Sequence, residues 1–203
     1  MKAYHMSETL RLGDTLEVDH QELVNLAEPF VRALEHSEDC FYGMILNGKY
    51  LCAVLRKSGL WEWSDYVKWS TEGVFEFIRK TEFPSAISRL RCNFFYDNME
   101  NVKILYEYDW GNEPEDIQSR IHLFEVMLDD DTIQKYDMSI YDQAYDAMEK
   151  NQDVQKVIAC ARRYFAGEHT EKPVWEILSD KNINIAEDIT ALLRQRRDDD
   201  CHG

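Results

Sequence analysis

Three stretches of this 203-residue chain carry side chains suited to chemistry. The first is Tyr4-His5-Met6-Ser7, followed by Leu10 and the pair Gly13-Asp14. A histidine at the end of an N-terminal strand, ahead of a glycine turn, can present a ring nitrogen to a ligand hydroxyl. The plainer account is a partly buried histidine bonded to backbone. The second stretch runs from Phe83 to Leu90, where Ser88 and Arg89 sit at the entry to an apolar aromatic strand. A hydroxyl beside a planar guanidinium fork suits a phosphate or a carboxamide. Equally, Arg89 can be structural, paired with one of the 39 acidic residues. The third is Ala161 to Gly167, then Pro173-Val174-Trp175-Glu176-Ile177-Leu178. There Glu176 interrupts an apolar strand, and a buried carboxylate needs either a partner or a task. Glu125, within Leu123-Phe124-Glu125-Val126, makes the same demand, and either acid can instead pair with a core Arg or Lys.

Other chemistries lack their residues. Neither G-x-x-x-x-G-K-[ST], G-x-G-x-x-G nor G-x-S-x-G occurs, so the common phosphate cradles and the hydrolase elbow are missing. The six histidines are dispersed, no H-E-x-x-H occurs, and the five cysteines form no paired short spacing. No metal site and no disulfide framework is therefore expected, and reduced thiols point to the cytoplasm. The formal charge of −16 disfavours nonspecific nucleic-acid binding, whose affinity rests on clustered Lys and Arg. No apolar run is long enough for a membrane span, and the N-terminus lacks a signal-peptide core.

The elements that must position these residues follow from periodicity. Strands are expected at Lys2 to His5, Arg91 to Tyr96, Ile121 to Leu128 and Val174 to Leu178. Helices are expected from Gln21 to Glu35 with Asp19 as cap, from Asp65 to Lys80, after an Asp97 or Asn98 cap, around Tyr141 to Met148, from Val154 to Phe165, and over Ile185 to Leu193. Residues 41–63 read as a hairpin or as helical turns. The sum is one α+β domain over residues 1–195, with helices packed around a mixed sheet, and a frayed acidic tail at 196–203.

Taken in order, the blocks resemble the ADP-ribosyltransferase-like proteins. Ala3-Tyr4-His5-Met6 with Leu10-Arg11-Leu12-Gly13-Asp14 is similar to the opening of the rifampin-modifying ADP-ribosyltransferases. The order of His5, Phe75 to Pro84, Ser88-Arg89, Ala161 to Gly167 and Trp175-Glu176-x-Leu178 resembles an uncharacterised bacterial family of that fold. The resemblance implies a split β-sheet holding NAD in a cleft, and no metal. It implies that His5 bonds a ribose, that Glu176 is the catalytic acid on the nicotinamide ribose, and that a tyrosine stacks on nicotinamide. Tyr96 and Tyr164 are the tyrosines assigned to the cofactor, with Tyr42 and Tyr50 also available. Ser88 and Arg89 would anchor the carboxamide or pyrophosphate.

The implied function is a cytoplasmic, bacterial or phage NAD-dependent transferase. It would cleave the nicotinamide–ribose bond and pass ADP-ribose to an unidentified acceptor, such as a protein. Two alternatives stay open: an acidic, non-catalytic interaction protein such as an inhibitor or antitoxin, and an NAD-binding pseudoenzyme.

Overall fold

The computed structural model describes residues 1–54 and 62–194; the expected tail at 196–203 lies outside the described residues. In chain order the elements begin β1 (Lys2–Ser7), β2 (Thr15–Leu16), α1 (Gln21–His36), α2 (Glu38–Val54), α3 (Trp63–Glu82), β3 (Asn93–Tyr96), α4 (Met99–Trp110) and α5 (Glu115–Gln118). They continue β4 (His122–Met127), β5 (Ile133–Asp137), α6 (Met138–Asn151), α7 (Val154–Phe165), β6 (Trp175–Ser179), β7 (Ile183–Asn184), β8 (Glu187–Asp188) and α8 (Ala191–Arg194). The architecture is mixed α+β. The chain divides into two compact units, one holding most of the sheet and one mostly helical.

The sheet unit comprises Met1–Val18, Asn93–Lys135 and the chain from Trp175 on. Six strands run in the order β5-β6-β3-β1-β4-β8, and β2 and β7 form a separate ribbon. The registered pairings are antiparallel: six residue pairs join β1 to β4, from Lys2↔Met127 to Ser7↔His122, and four join β3 to β6, from Asn93↔Ser179 to Tyr96↔Glu176. Between β1 and β3 a single pair is registered, Tyr4↔Tyr96. The sheet is thus two well-paired halves meeting at one pinch.

Side chains alternate across a strand, so the register fixes two faces. One face gathers Ala3, Phe95, Phe124, Val126 and Ile177, with Ile185 packed on them. The ribbon lies against it through Leu16 and Ile183, and Asn93 Nδ2 reaches the Leu16 and Lys181 carbonyls. The other face carries Leu123, Tyr4, Met6 and Tyr96, covered by Val102 and Tyr106 of α4 and by Leu193. Asn98 caps α4, its side chain accepting from the Asn101 amide.

The helical unit comprises Asp19–Cys92 and Tyr136–Val174. The helical spacing of Leu23, Leu26, Phe30 and Leu34 does form α1, burying Ala27, Phe30, Val31 and Leu34. Its N-cap is His20 rather than Asp19, without a side-chain capping bond. At Gly73 an added Cβ would lie 2.6 Å from Phe30 Cβ, so α1 and α3 approach where a side chain is absent. Asp137 caps α6 and does more: its carboxylate accepts from the Ser139, Thr170 and Val174 amides and from the Thr170 hydroxyl. Burial works to raise this carboxyl's pKa, but the Thr170 and Ser139 bonds outweigh it and hold it below the usual value.

Of the two readings left open for residues 41–63 the helical one holds for the described part, and one expected helix is replaced. Residues 41–54, read as a hairpin or helical turns, belong to α2, while 55–61 lie outside the described residues. The helix Ile185 to Leu193 is instead β8 followed by α8. Ile185 is drawn into the sheet core, and the Ile189 amide bonds the Leu123 carbonyl, so tertiary packing overrides the helical spacing.

Candidate functional site at the His5 end of the sheet

His5 lies one residue past the pinch, where β1 and β3 part. Its Nδ1 sits 2.9 Å from the Phe94 carbonyl, which accepts from it in the neutral Nδ1–H tautomer. The ring also rests beside Phe95, with centroids 5.5 Å apart. That backbone tether fixes the tautomer and leaves Nε2 as an acceptor. Burial pulls the imidazole pKa down, and the Phe94 bond only partly opposes it, so the ring is neutral at physiological pH. Among the described residues two side-chain polar atoms are buried without a hydrogen bond, Thr71 Oγ1 and His122 Nδ1. His5 itself is partly buried.

The β1–β4 ladder adds residues that sequence reasoning missed. His5 stands opposite Phe124, and Phe124 opposite Asp188, in one row on one face. Ser7 stands opposite His122 in the next row. His122 Nδ1 lies 3.5 Å from Asp188 Oδ2, and the His122 ring stacks on Phe124 at 14°. Asp188 is itself pinned by the amide and hydroxyl of Thr190. Burial favours its protonated form, but the Thr190 and His122 contacts outweigh that and keep its pKa low, so it is ionised. Two strand spacings separate β1 from β8, about 10 Å, the span of a sugar and its neighbours. The corner therefore offers an oriented neutral acceptor, a hydroxyl, a second imidazole and a fixed carboxylate, while Phe124 between them is fully buried in the core and offers no ring face.

The residues singled out from sequence divide between the units. Tyr96 and Glu176 belong to the sheet unit with His5, but alternation turns them to the face of Tyr4, away from His5. Glu176 is 3% exposed there. Its competitor Glu125 shares that second face, bound to Lys2 Nζ at 2.7 Å. A ligand lying on the His5 face touches neither acid.

Ser88, Arg89 and Tyr164 lie in the helical unit, where protein groups occupy them. The Arg89 fork bonds Glu72 through Nε and Nη2 and donates to the Tyr164 hydroxyl through Nη1 at 2.8 Å. Its guanidinium carbon lies 4.1 Å from the Tyr141 ring centre. Ser88 donates to Glu76, which also receives a two-pronged bond from Arg79. Tyr164 has no exposed surface and stacks on Tyr136, so it has no ring face to offer nicotinamide. This is the structural account of Arg89.

Among the described residues no cluster of three or more His, Cys, Asp or Glu could hold a metal ion, and no helix is long and apolar enough to cross a membrane. The chain belongs to the family described as protein of unknown function DUF2441, which it matches over residues 3–191, a span that includes His5, Ser7, His122 and Asp188. No curated protein matches it.

Proposed function

We propose that the protein handles NAD in the manner of the ADP-ribosyltransferase-like proteins, with the dinucleotide seated at the partly exposed end of the sheet where His5, Ser7 and Asp188 lie. The single observation carrying this reading is that His5, its tautomer fixed by Phe94, shares a row and a face with the ionised carboxylate of Asp188. The parting of the sheet at Tyr4↔Tyr96 supports it, since the resemblance of the β1 block implies a divided sheet.

The chemistry follows from these groups. His5 Nε2 accepts a hydrogen bond from a ribose hydroxyl and orients the sugar. Cleaving the nicotinamide–ribose bond leaves positive charge on that sugar, as in glycoside cleavage, and nicotinamide departs with the bonding pair. The acid meeting that charge is Asp188, which replaces Glu176 in this role because Glu176 faces the other way. Losing such a preorganised contact typically costs about a hundredfold in rate.

Incubation with NAD labelled in the nicotinamide ring tests the reading. Nicotinamide release should fall about a hundredfold in His5→Ala and Asp188→Asn, and stay within a few-fold of wild type in Glu176→Gln. Absence of both NAD binding and nicotinamide release contradicts the proposal. Binding without release would instead support the pseudoenzyme alternative.

A further inference from the structure

In the helical unit, α2 is apolar around its circumference. Phe41, Ile45 and Gly48 are buried, whereas Leu46, Tyr50, Leu51 and Val54 are 44%, 68%, 41% and 59% exposed. A helix apolar all round is ordinarily covered. An open groove of 510 Å³ runs along it, lined by Gly43, Met44, Asn47 and Leu51 among others. From Cys40 to Val54 the one charged residue is Lys49, in a chain of net charge −16. Along this stretch two like-charged copies can meet without opposing acids, with Asp39 at one end of the groove and Glu62 and Asp65 near Cys52 at its margin.

The stripe is self-complementary. A two-fold axis beside α2, level with the point between Gly48 and Lys49, sets Gly43 against Val54 of a second copy and Asn47 against Tyr50 along the seam, with Leu46 beside its own copy on one flank and Leu51 beside its own copy on the other. Small then meets large, apolar meets apolar, and an amide meets a phenol hydroxyl. At 3.6 residues per turn these six positions fall within an arc of about 140°, each pair placed symmetrically about its centre line. Gly43 adds an independent observation. A Cβ built there meets nothing within 4 Å, so a single chain does not require glycine. Yet glycine inside a helix costs about 0.5–1 kcal/mol relative to alanine. An approaching Val54 accounts for it.

We infer that α2 is the interface of a homodimer, packed antiparallel against α2 of a second copy about a two-fold axis. This inference is independent of NAD. Sedimentation equilibrium of the full chain should give about twice the 24.1 kDa chain mass at micromolar concentration. Leu46→Glu with Leu51→Glu should raise the dissociation constant at least a hundredfold. Gly43→Leu fills space that is open in one chain, so it should lose the dimer while keeping the thermal midpoint that wild type shows when diluted to monomer. Within one helix residues 43 and 54 lie about 16 Å apart, beyond the reach of roughly 7 Å for a disulfide. Mild oxidation of a Gly43→Cys, Val54→Cys double variant should therefore yield a dimer linked between those positions, while neither single variant does. A chain that sediments as a monomer at every concentration overturns the inference. So does a dimer indifferent to the Leu46 and Leu51 substitutions, or a double variant with no 43–54 link.

Discussion

The His5 corner of the sheet and the Arg89 cluster of the helical unit look alike as lists of residues. Each joins a cation-forming side chain to acids, hydroxyls and aromatic rings. They differ in what is already satisfied. Arg89 directs its donors at Glu72 and Tyr164 and stacks on Tyr141, with 8% of its surface exposed. His5 has one nitrogen tied to Phe94, and among the described residues the other is without a protein partner. Residue type nominates both regions, but free hydrogen-bonding capacity at an accessible surface separates a binding site from a structural joint.

Breaking each region should give opposite patterns. The largest expected effect is in the helical unit. Arg89→Ala leaves Glu72 charged and buried without its partner, and urea unfolding should show a loss of about 3–5 kcal/mol. If that variant were as stable as wild type, the joint assignment would fail. Next is Asp137→Ala, which strands the amide donors of Thr170 and Val174; a loss of roughly 3 kcal/mol is expected in the same measurement. At the sheet corner His5→Asn should cost only about 1 kcal/mol while abolishing NAD binding in calorimetry. A large stability loss with binding intact would reverse the comparison.

The smallest effect concerns pH. The His5 pKa is lowered by burial, so the unfolded chain takes up a proton before the folded one does. Its contribution is complete above the unfolded value of about 6.5 and declines as pH falls from there toward the folded value. Asp188, held low, contributes above its unfolded pKa and loses that contribution as pH falls through its folded pKa. Wild type should therefore lose slightly more stability on acidification than His5→Asn, and an equal loss in both would contradict this.

Much of the fold was legible because local pattern and tertiary environment agree. The apolar run Ile121 to Leu128 contains β4, and the spacing of Val154, Val157, Ile158 and Ala161 is the buried face of α7. α2 was not legible because apolar residues on every side erase periodicity. At the site, His5 could be read from sequence, whereas Ser7, His122 and Asp188 could not be joined to it. Their proximity is set by the β1–β4–β8 register, which pairs β1 with residues more than a hundred positions away and Phe124 with Asp188, about sixty positions away. Glu176 was attractive as an acid in an apolar strand, but its sequence context does not reveal which face it takes.

The most direct measurement is NMR of the histidine ring resonances during titration with NAD. Seating of the dinucleotide at the His5 end of the sheet predicts that the His5 and His122 signals shift together and saturably, in wild type and equally in Glu176→Gln. Unmoved His5 and His122 signals at saturating NAD, or a response abolished by Glu176→Gln, would contradict it.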